Sequence, residues 1–326
     1  MSGAAIPGNK RRLSDDDGDD EGAKRSRVDQ STALARVEDI ASPATAAAAR
    51  SDGRSSALEA PIMVLSGHDG PITSCEFDPS GQYIASGSRD RTVFLWHVYG
   101  ETDNYGVLRG HKNAVLDVCW GSGAASGGAA RIYTASADKT LGVWDSESGA
   151  RLKVLNGHTK IINAVAAARQ GPAQLASVSD DGTVRIWDTR ARSAAATFAD
   201  KHPLLAVTWA DDGSAVYAAG VDNVIRQWDV RRGAVALSLT GHADSVTGLR
   251  TSPDGARIAS QSMDGSVRIW DIRPFVPDAI AAAGRCVGLL PGASNNFEAH
   301  VMRPAWSPDG RRVAAGSAVS SYFVHQ

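Results

Sequence analysis

The stretch Asp181-Gly182-Thr183-Val184-Arg185-Ile186-Trp187-Asp188 has four near copies in the same chain. Asp90 to Trp96, Asp138 to Trp144, Asp222 to Trp228 and Asp264 to Trp270 keep its spacing, an aspartate six residues before a tryptophan. The tryptophans advance by 48, 43, 41 and 42 residues. A turn residue, then alternating or β-branched residues, then Trp reads as a strand entered through a tight turn. That period restricts the chain to a repeat architecture built from short strands.

Four units carry Gly-His upstream, at Gly67-His68, Gly110-His111, Gly157-His158 and Gly241-His242. Gly-His followed about thirty residues later by Trp-Asp, at this period, is the signature of the WD repeat, one four-stranded propeller blade per unit. The chain is therefore identified as all-β, a WD40 β-propeller. In that family a histidine before strand a, a Ser or Thr on strand b, the turn aspartate and the strand-c tryptophan form a hydrogen-bonded set. The matching groups here are His68, Ser86, Asp90 and Trp96; His111, Thr134, Asp138 and Trp144; His158, Ser177, Asp181 and Trp187; and His242, Ser260, Asp264 and Trp270. Inside a mostly buried blade an unpaired polar group costs about 1 to 3 kcal/mol. These residues therefore read as structural, not catalytic. No Gly-x-Ser-x-Gly, phosphate loop or His/Cys metal cluster occurs, so no enzyme, metal or cofactor is expected.

Composition agrees. The 326 residues are 43% hydrophobic and 21% charged, with a formal net charge of -2. That is ample for a core and gives no case for wholesale nucleic-acid binding. Cys75, Cys119 and Cys286 lack metal-ligand spacing and suggest a reducing compartment. No signal peptide is evident, and no apolar run approaches the roughly 20 residues of a membrane span. Residues 1 to 57 lack periodic hydrophobics and are expected to be disordered. Within them Lys10-Arg11-Arg12 and Lys24-Arg25-Ser26-Arg27 flank an acidic spacer, the pattern of a bipartite nuclear import signal whose principal cations are Lys10, Arg11, Arg12, Lys24, Arg25 and Arg27. The alternative is a solubilising charged tail.

From Pro61 strands begin, and the propeller is assigned to residues 58–318. Ile62 to Leu65 stands where an outer strand would complete the last blade and join the chain ends. Blade one replaces Trp-Asp with Trp96-His97, and a Gly/Ala/Ser insertion interrupts blade two at Gly121 to Ala130. Blade four has no Gly-His, and Ala218 takes its strand-b Ser position, so packing of Val207 and Trp209 must carry more. After Trp270-Asp271 the connection Arg273 to Arg285 is too long for a hairpin and should protrude. A sixth blade starts near His300 to Trp306, turns at Ser307-Pro308-Asp309-Gly310 and continues to Ser317. Residues 319–326 then depart from the pattern.

Finer residues carry a closer resemblance. Ala60-Pro61-Ile62-Met63, Val98-Tyr99-Gly100 with Asp103-Asn104-Tyr105, Ala168-Arg169-Gln170-Gly171-Pro172, the run His242 to Leu249, Trp270-Asp271-Ile272-Arg273-Pro274-Phe275 and Asn296-Phe297-Glu298 resemble the WD-repeat subunits of the U5 small nuclear ribonucleoprotein. The resemblance implies a non-catalytic, seven-bladed nuclear scaffold. It would bind the large protein at the heart of the U5 particle and other spliceosomal proteins during pre-mRNA splicing, with RNA contacted mostly indirectly and no membrane or small-molecule substrate. Against that family the chain looks C-terminally truncated, with about six blades, the last incomplete. An open arc with exposed sheet edges is expected, rather than closure of six blades through Ile62 to Leu65. Two origins for the tail stay open, genuine divergence and translated intron, since Val319-Ser320 is what a GTAAGT or GTGAGT splice donor encodes.

A rival function rests on Trp187-Asp188-Thr189-Arg190, Trp228-Asp229-Val230-Arg231 and Trp270-Asp271-Ile272-Arg273, which match the Trp-Asp-x-Arg motif of cullin-4 ubiquitin-ligase receptors. As for a docking surface, Arg89, Asp180, Val221 and Met263 each precede a turn aspartate and should line one propeller face, with the apolar members suited to a protein partner.

Overall fold

A computed structural model describes residues 63–100, 102–121, 130–170, 173–191, 193–293, 301–318 and 323–325. The tail 1–57 with its basic clusters, and most of the blade-two insertion, lie outside the described residues.

Each unit folds as an antiparallel meander. Blade one is β1 (Ile72–Phe77), β2 (Tyr83–Ser88), β3 (Thr92–His97) and β4 (Asn104–Arg109). Blade two is β5 (Val115–Gly121), β6 (Arg131–Ser136), β7 (Thr140–Asp145) and β8 (Arg151–Asn156). Blade three is β9 (Ile162–Ala167), β10 (Gln174–Ser179), β11 (Thr183–Asp188) and β12 (Ala194–Ala199). Blade four is β13 (Leu204–Trp209), β14 (Ala215–Gly220), β15 (Ile225–Asp229) and β16 (Ala234–Leu239). Blade five is β17 (Val246–Thr251), β18 (Arg257–Ser262), β19 (Ser266–Asp271) and β20 (Cys286–Pro291). The innermost strands β1, β5, β9, β13 and β17 pack side by side in chain order, so five blades surround a common axis.

The turn between the second and third strands explains why the aspartate recurs. The residue after it has positive φ in all five blades, at Arg91 (75°), Lys139 (71°), Gly182 (73°), Asn223 (64°) and Gly265 (77°). The aspartate steadies this turn: in blade three Asp181 Oδ1 accepts from the Thr183 amide at 3.0 Å and from its hydroxyl at 2.6 Å. Asp90, Asp138 and Asp264 do the same with Thr92, Thr140 and Ser266.

The apolar cores lie between blades, not within them. Leu95 and Leu108 of blade one meet Val118, Trp120 and Ile132 of blade two. Ile186 and Phe198 of blade three meet Val207, Trp209 and Val216 of blade four. A blade alone would leave both broad faces wet, so the fold is stable only as a stack.

The structure revises the expected ends. No strand forms over Met63–Leu65, the described part of the expected outer strand. Leu65 packs instead on Phe94, Trp96 and Val107, a face of blade one that no other blade covers among the described residues. The sixth sheet is β21 (Ala305–Trp306), β22 (Val313–Ala315) and β23 (Phe323–His325), in that order. The tail expected to stand outside the propeller thus supplies a strand, with Ala314 opposite Val324. A period-2 backbone can pair with any extended partner, so departure from the repeat pattern did not prevent pairing. No described strand joins this sheet to blade one. The 273–285 connection contains a short helix, α1 (Asp278–Ala282), none of whose residues is buried.

Polar spokes cross the axis. Asp117 of β5, 2% exposed, accepts from the Val165 amide of β9 at 2.8 Å, from Ser74 of β1 at 3.0 Å and from the Arg303 guanidinium beside the sixth sheet. Arg303 also donates to the Asn163 carbonyl at 3.1 Å. Arg250 of β17 pairs with Glu76 of β1. Asp117→Ala would strand the Val165 amide and the Arg303 charge, so a loss of about 3 kcal/mol is expected in urea unfolding. A loss under about 1 kcal/mol would show that the spokes are incidental.

Candidate functional site

Gly-His and the turn aspartate come together at one end of blades one, two, three and five, because strand a starts where the turn between strands b and c lies. In blade three His158 Nδ1 lies 2.9 Å from Asp181 Oδ2 and Nε2 lies 2.8 Å from Ser177 Oγ, while Trp187 Nε1 donates to the same Oγ at 2.8 Å. In blade five the matching distances are 2.9, 2.7 and 2.8 Å for His242, Ser260, Asp264 and Trp270. In blade two they are 2.9, 2.6 and 2.9 Å for His111, Thr134, Asp138 and Trp144. In blade one they are 2.7, 2.9 and 2.8 Å for His68, Ser86, Asp90 and Trp96. The carboxylate oxygen that faces the histidine takes a further bond: Asp181 Oδ2 also accepts from the Thr159 amide at 3.0 Å, closing the loop over the turn.

Proton counting gives the direction of each relay. An indole N–H only donates, so the hydroxyl oxygen accepts from tryptophan; its own proton is free to serve the histidine Nε2, and the lowered pKa of His158 and His242 favours that neutral arrangement. The histidine is then neutral, with Nδ1–H donating to the carboxylate. Glycine precedes the histidine for steric reasons: at Gly241 φ is +156°, and a Cβ would lie 3.0 Å from the Arg268 guanidinium and 3.2 Å from Trp270.

Electrostatics follow burial. Burial lowers the His158 and His242 pKa, which hydrogen bonds and charge from Asp181 and Asp264 only partly oppose. For Asp181 and Asp264 burial raises the pKa, but the combined hydrogen bonds from hydroxyl, amide and imidazole hold both down to about 2. A nucleophile or general base needs a reactive atom open to a substrate, whereas every polar atom here is spent on a neighbour. Among the described residues no group of three or more His, Cys, Asp or Glu is placed to hold a metal ion.

Blade four departs as its sequence does. Ala218 occupies the hydroxyl position and Trp228 Nε1 has no partner. Phe198 stacks on Trp228, centroids 5.6 Å apart and planes 5° from parallel. In place of the histidine, Arg226 Nη1 lies 2.5 Å from Asp222 Oδ2 and 3.0 Å from Asp200 Oδ2. No sequence signal marks this substitution, since Arg185 and Arg268 also stand four residues after Asp181 and Asp264, in blades that keep the histidine. Val207 and Trp209 are both buried there, and Trp209 Nε1 reaches the Ala166 carbonyl at 3.1 Å. In blade one His97 packs against Tyr83 and Tyr105, where other blades place an aspartate that caps a turn. Those caps include Asp188 with the Arg190 amide at 2.8 Å and Asp229 with the Arg231 amide at 2.9 Å. Arg190, Arg231 and Arg273 are all exposed, and Arg273 is also paired with Asp271.

The four residues expected to line the relay face have pinned backbones. Their amides donate to the segment before a first strand: Arg89 to Pro71 at 3.0 Å, Asp180 to Ile161 at 3.1 Å, Val221 to Pro203 at 3.3 Å and Met263 to Ser245 at 2.9 Å. Arg89 and Val221 are exposed; Asp180 and Met263 are half-buried, and Asp180 accepts from Asn163 at 2.6 Å. Ile72 opens β1, Ile161 immediately precedes β9 and Val301 lies ahead of β21, and all three are exposed.

A five-blade meander with this relay defines a WD40 propeller, and the WD domain, G-beta repeat family model matches residues 59–97, 103–145, 149–188, 195–229 and 233–271. The chain is 43% identical over 272 residues to the U5 small nuclear ribonucleoprotein 40 kDa protein of Dictyostelium discoideum, covering 83% of this chain and 74% of that one. Identity to the Homo sapiens protein of that name is 45% over 271 residues, 83% and 73% of the two chains. The pre-mRNA-splicing factor cwf17 of Schizosaccharomyces pombe is 35% identical over 271 residues, 83% and 77% of the two. The chain belongs to the WD40-repeat proteins and, within them, to the family of the U5 small nuclear ribonucleoprotein 40 kDa protein.

Two measurements check the relay. Ser177→Ala strands both the Trp187 indole and His158, so unfolding free energy should fall by about 2 to 4 kcal/mol, whereas Ala218→Ser gives Trp228 a partner and should raise it by about 1 kcal/mol. Equal, small effects would contradict the relay's role. For acid, the sign follows from the lowered histidines: the unfolded chain takes up protons first. Stability is then whole above about 6.5, the ordinary histidine value, and falls as pH drops through the lowered folded values. A second loss starts below 3.8, the ordinary aspartate value, as pH approaches about 2. A urea midpoint that stays constant from about pH 7 to about pH 5 would refute this.

Proposed function

We propose that this chain acts in pre-mRNA splicing, in the nucleus, as a non-catalytic scaffold of the U5 small nuclear ribonucleoprotein, docking on the large protein at the heart of that particle. The observation that carries the reading is the 43% to 45% identity, over 83% of the chain, to proteins that bear the U5 subunit name. The relay face is the proposed docking surface. Its exposed aliphatics stand on backbone fixed by hydrogen bonds, which lowers the ordering cost of association. A formal net charge of -2 supplies little attraction for a phosphate backbone, so RNA is held indirectly. The two basic clusters at residues 10–12 and 24–27 serve as the import signal in this reading.

The tagged chain, purified from nuclear extract, should bring down the large U5 protein and U5 RNA. Val221→Asp places a charge on a side chain 43% exposed. It should cut recovery about tenfold while leaving the melting temperature unchanged. Recovery of a cullin complex, or of chaperones alone, would contradict the proposal.

A further inference from the structure

The connection from β19 to β20 presents an aromatic ring to solvent on a braced frame. Phe275 is 93% exposed, the most exposed large hydrophobic side chain among the described residues. Its frame is ordered by specific bonds. Arg273 Nε donates to Asp271 Oδ1 and Oδ2 at 3.0 and 3.1 Å, Nη2 donates to Oδ2 at 2.5 Å, and the Arg273 amide donates to Oδ1 at 3.0 Å. From the far end of the loop Arg285 Nη1 donates to the Arg273 carbonyl at 2.6 Å. Pro274 and Pro277 restrict φ on both sides of Phe275, and Pro277 leads directly into α1. The aspartate of this Trp-Asp pair is 2% exposed, so the clamp is anchored in the blade itself.

The ring stands at the opposite end of the strands from the relays, because β19 runs away from the Asp264 turn. Nothing in blade five needs Phe275 for stability. A ring held clear of its own protein, on a loop with little left to order, is the geometry of an interface anchor. The loop also selects the partner's chemistry. Residues 274–283 carry one charge, Asp278, together with four alanines, while the guanidinium groups of Arg273 and Arg285 are engaged at its base. The charges of the loop and its base cancel, Asp271 and Asp278 against Arg273 and Arg285, so the surface offers little attraction to a phosphate backbone and matches an uncharged pocket.

We infer that Phe275 is a second docking anchor, separate from the relay face, that inserts into an apolar pocket of a partner protein. The inference rests on the splicing assignment only for the extract in which it is tested. The full chain, carrying a photoreactive benzoylphenylalanine in place of Phe275, is cross-linked in nuclear extract. The same probe at Leu152, an exposed side chain on β8, is the control. The expected result is an adduct at one apolar segment of one identified protein, absent from the control. Phe275→Ala should lower recovery of that protein about tenfold and Phe275→Trp should retain it, with all melting temperatures unchanged. An RNA adduct, an adduct only with a second copy of this chain, or no adduct beyond the control would overturn the inference. Failure of the unsubstituted chain to recover U5 RNA would count against the splicing assignment and leave the cross-link to be judged by the same outcomes.

Discussion

Each complete blade depends on one hydroxyl. Ser86, Thr134, Ser177 and Ser260 each accept from an indole and face an imidazole, which in turn meets a carboxylate. The four members come from strand c, strand b, the loop before strand a and the turn between b and c. One chain of hydrogen bonds therefore joins segments that sequence separates by 10 to 27 residues. It ties the connection from the preceding blade to the edge of the next, and so fixes the face that the loops form. A rigid face loses little entropy when a partner binds, which links the relay to docking although no relay atom need touch the partner.

Blade four shows what the relay is for by doing without it. The Arg226 bridge to Asp200 and Asp222 holds the same loop to the same turn. Stacking of Phe198 covers the tryptophan that has lost its acceptor. The loop-to-turn tie is retained while its chemistry changes, which identifies the tie as the structural requirement. Across the axis, Asp117 and Glu76 are met by arginines from the sixth sheet and blade five, so the stack is held at its centre as well as between blades.

Much of this was legible because the repeat period and the relay are the same physical fact. The strands of blade one, Ile72–Phe77, Tyr83–Ser88 and Thr92–His97, lie between Gly67-His68 and the end of Trp96-His97, where the repeat signature puts them. The relay residues could be named by matching the WD-repeat pattern, in which the turn aspartate sits six residues before the tryptophan it serves. Where the repeat lapses, legibility lapses with it. Leu65 looked like part of an outer strand because it is apolar and precedes Gly-His, but apolar residues equally cover an open face, as Leu65 does on blade one. Residues 323–325 have no repeat signal and pair through backbone that any sequence supplies. The spokes of Asp117 and Arg303 join residues 186 positions apart, a distance at which no local pattern operates.

The account's central claim is that the buried histidines are neutral links that donate through Nδ1 and accept through Nε2. Nitrogen-15 imidazole spectra of His158 and His242 test it most directly. At a pH near 6, where a free histidine is substantially charged, the account predicts that both rings remain neutral, with the proton on Nδ1 and Nε2 bare. Rings protonated on both nitrogens, or carrying the proton on Nε2, would contradict it.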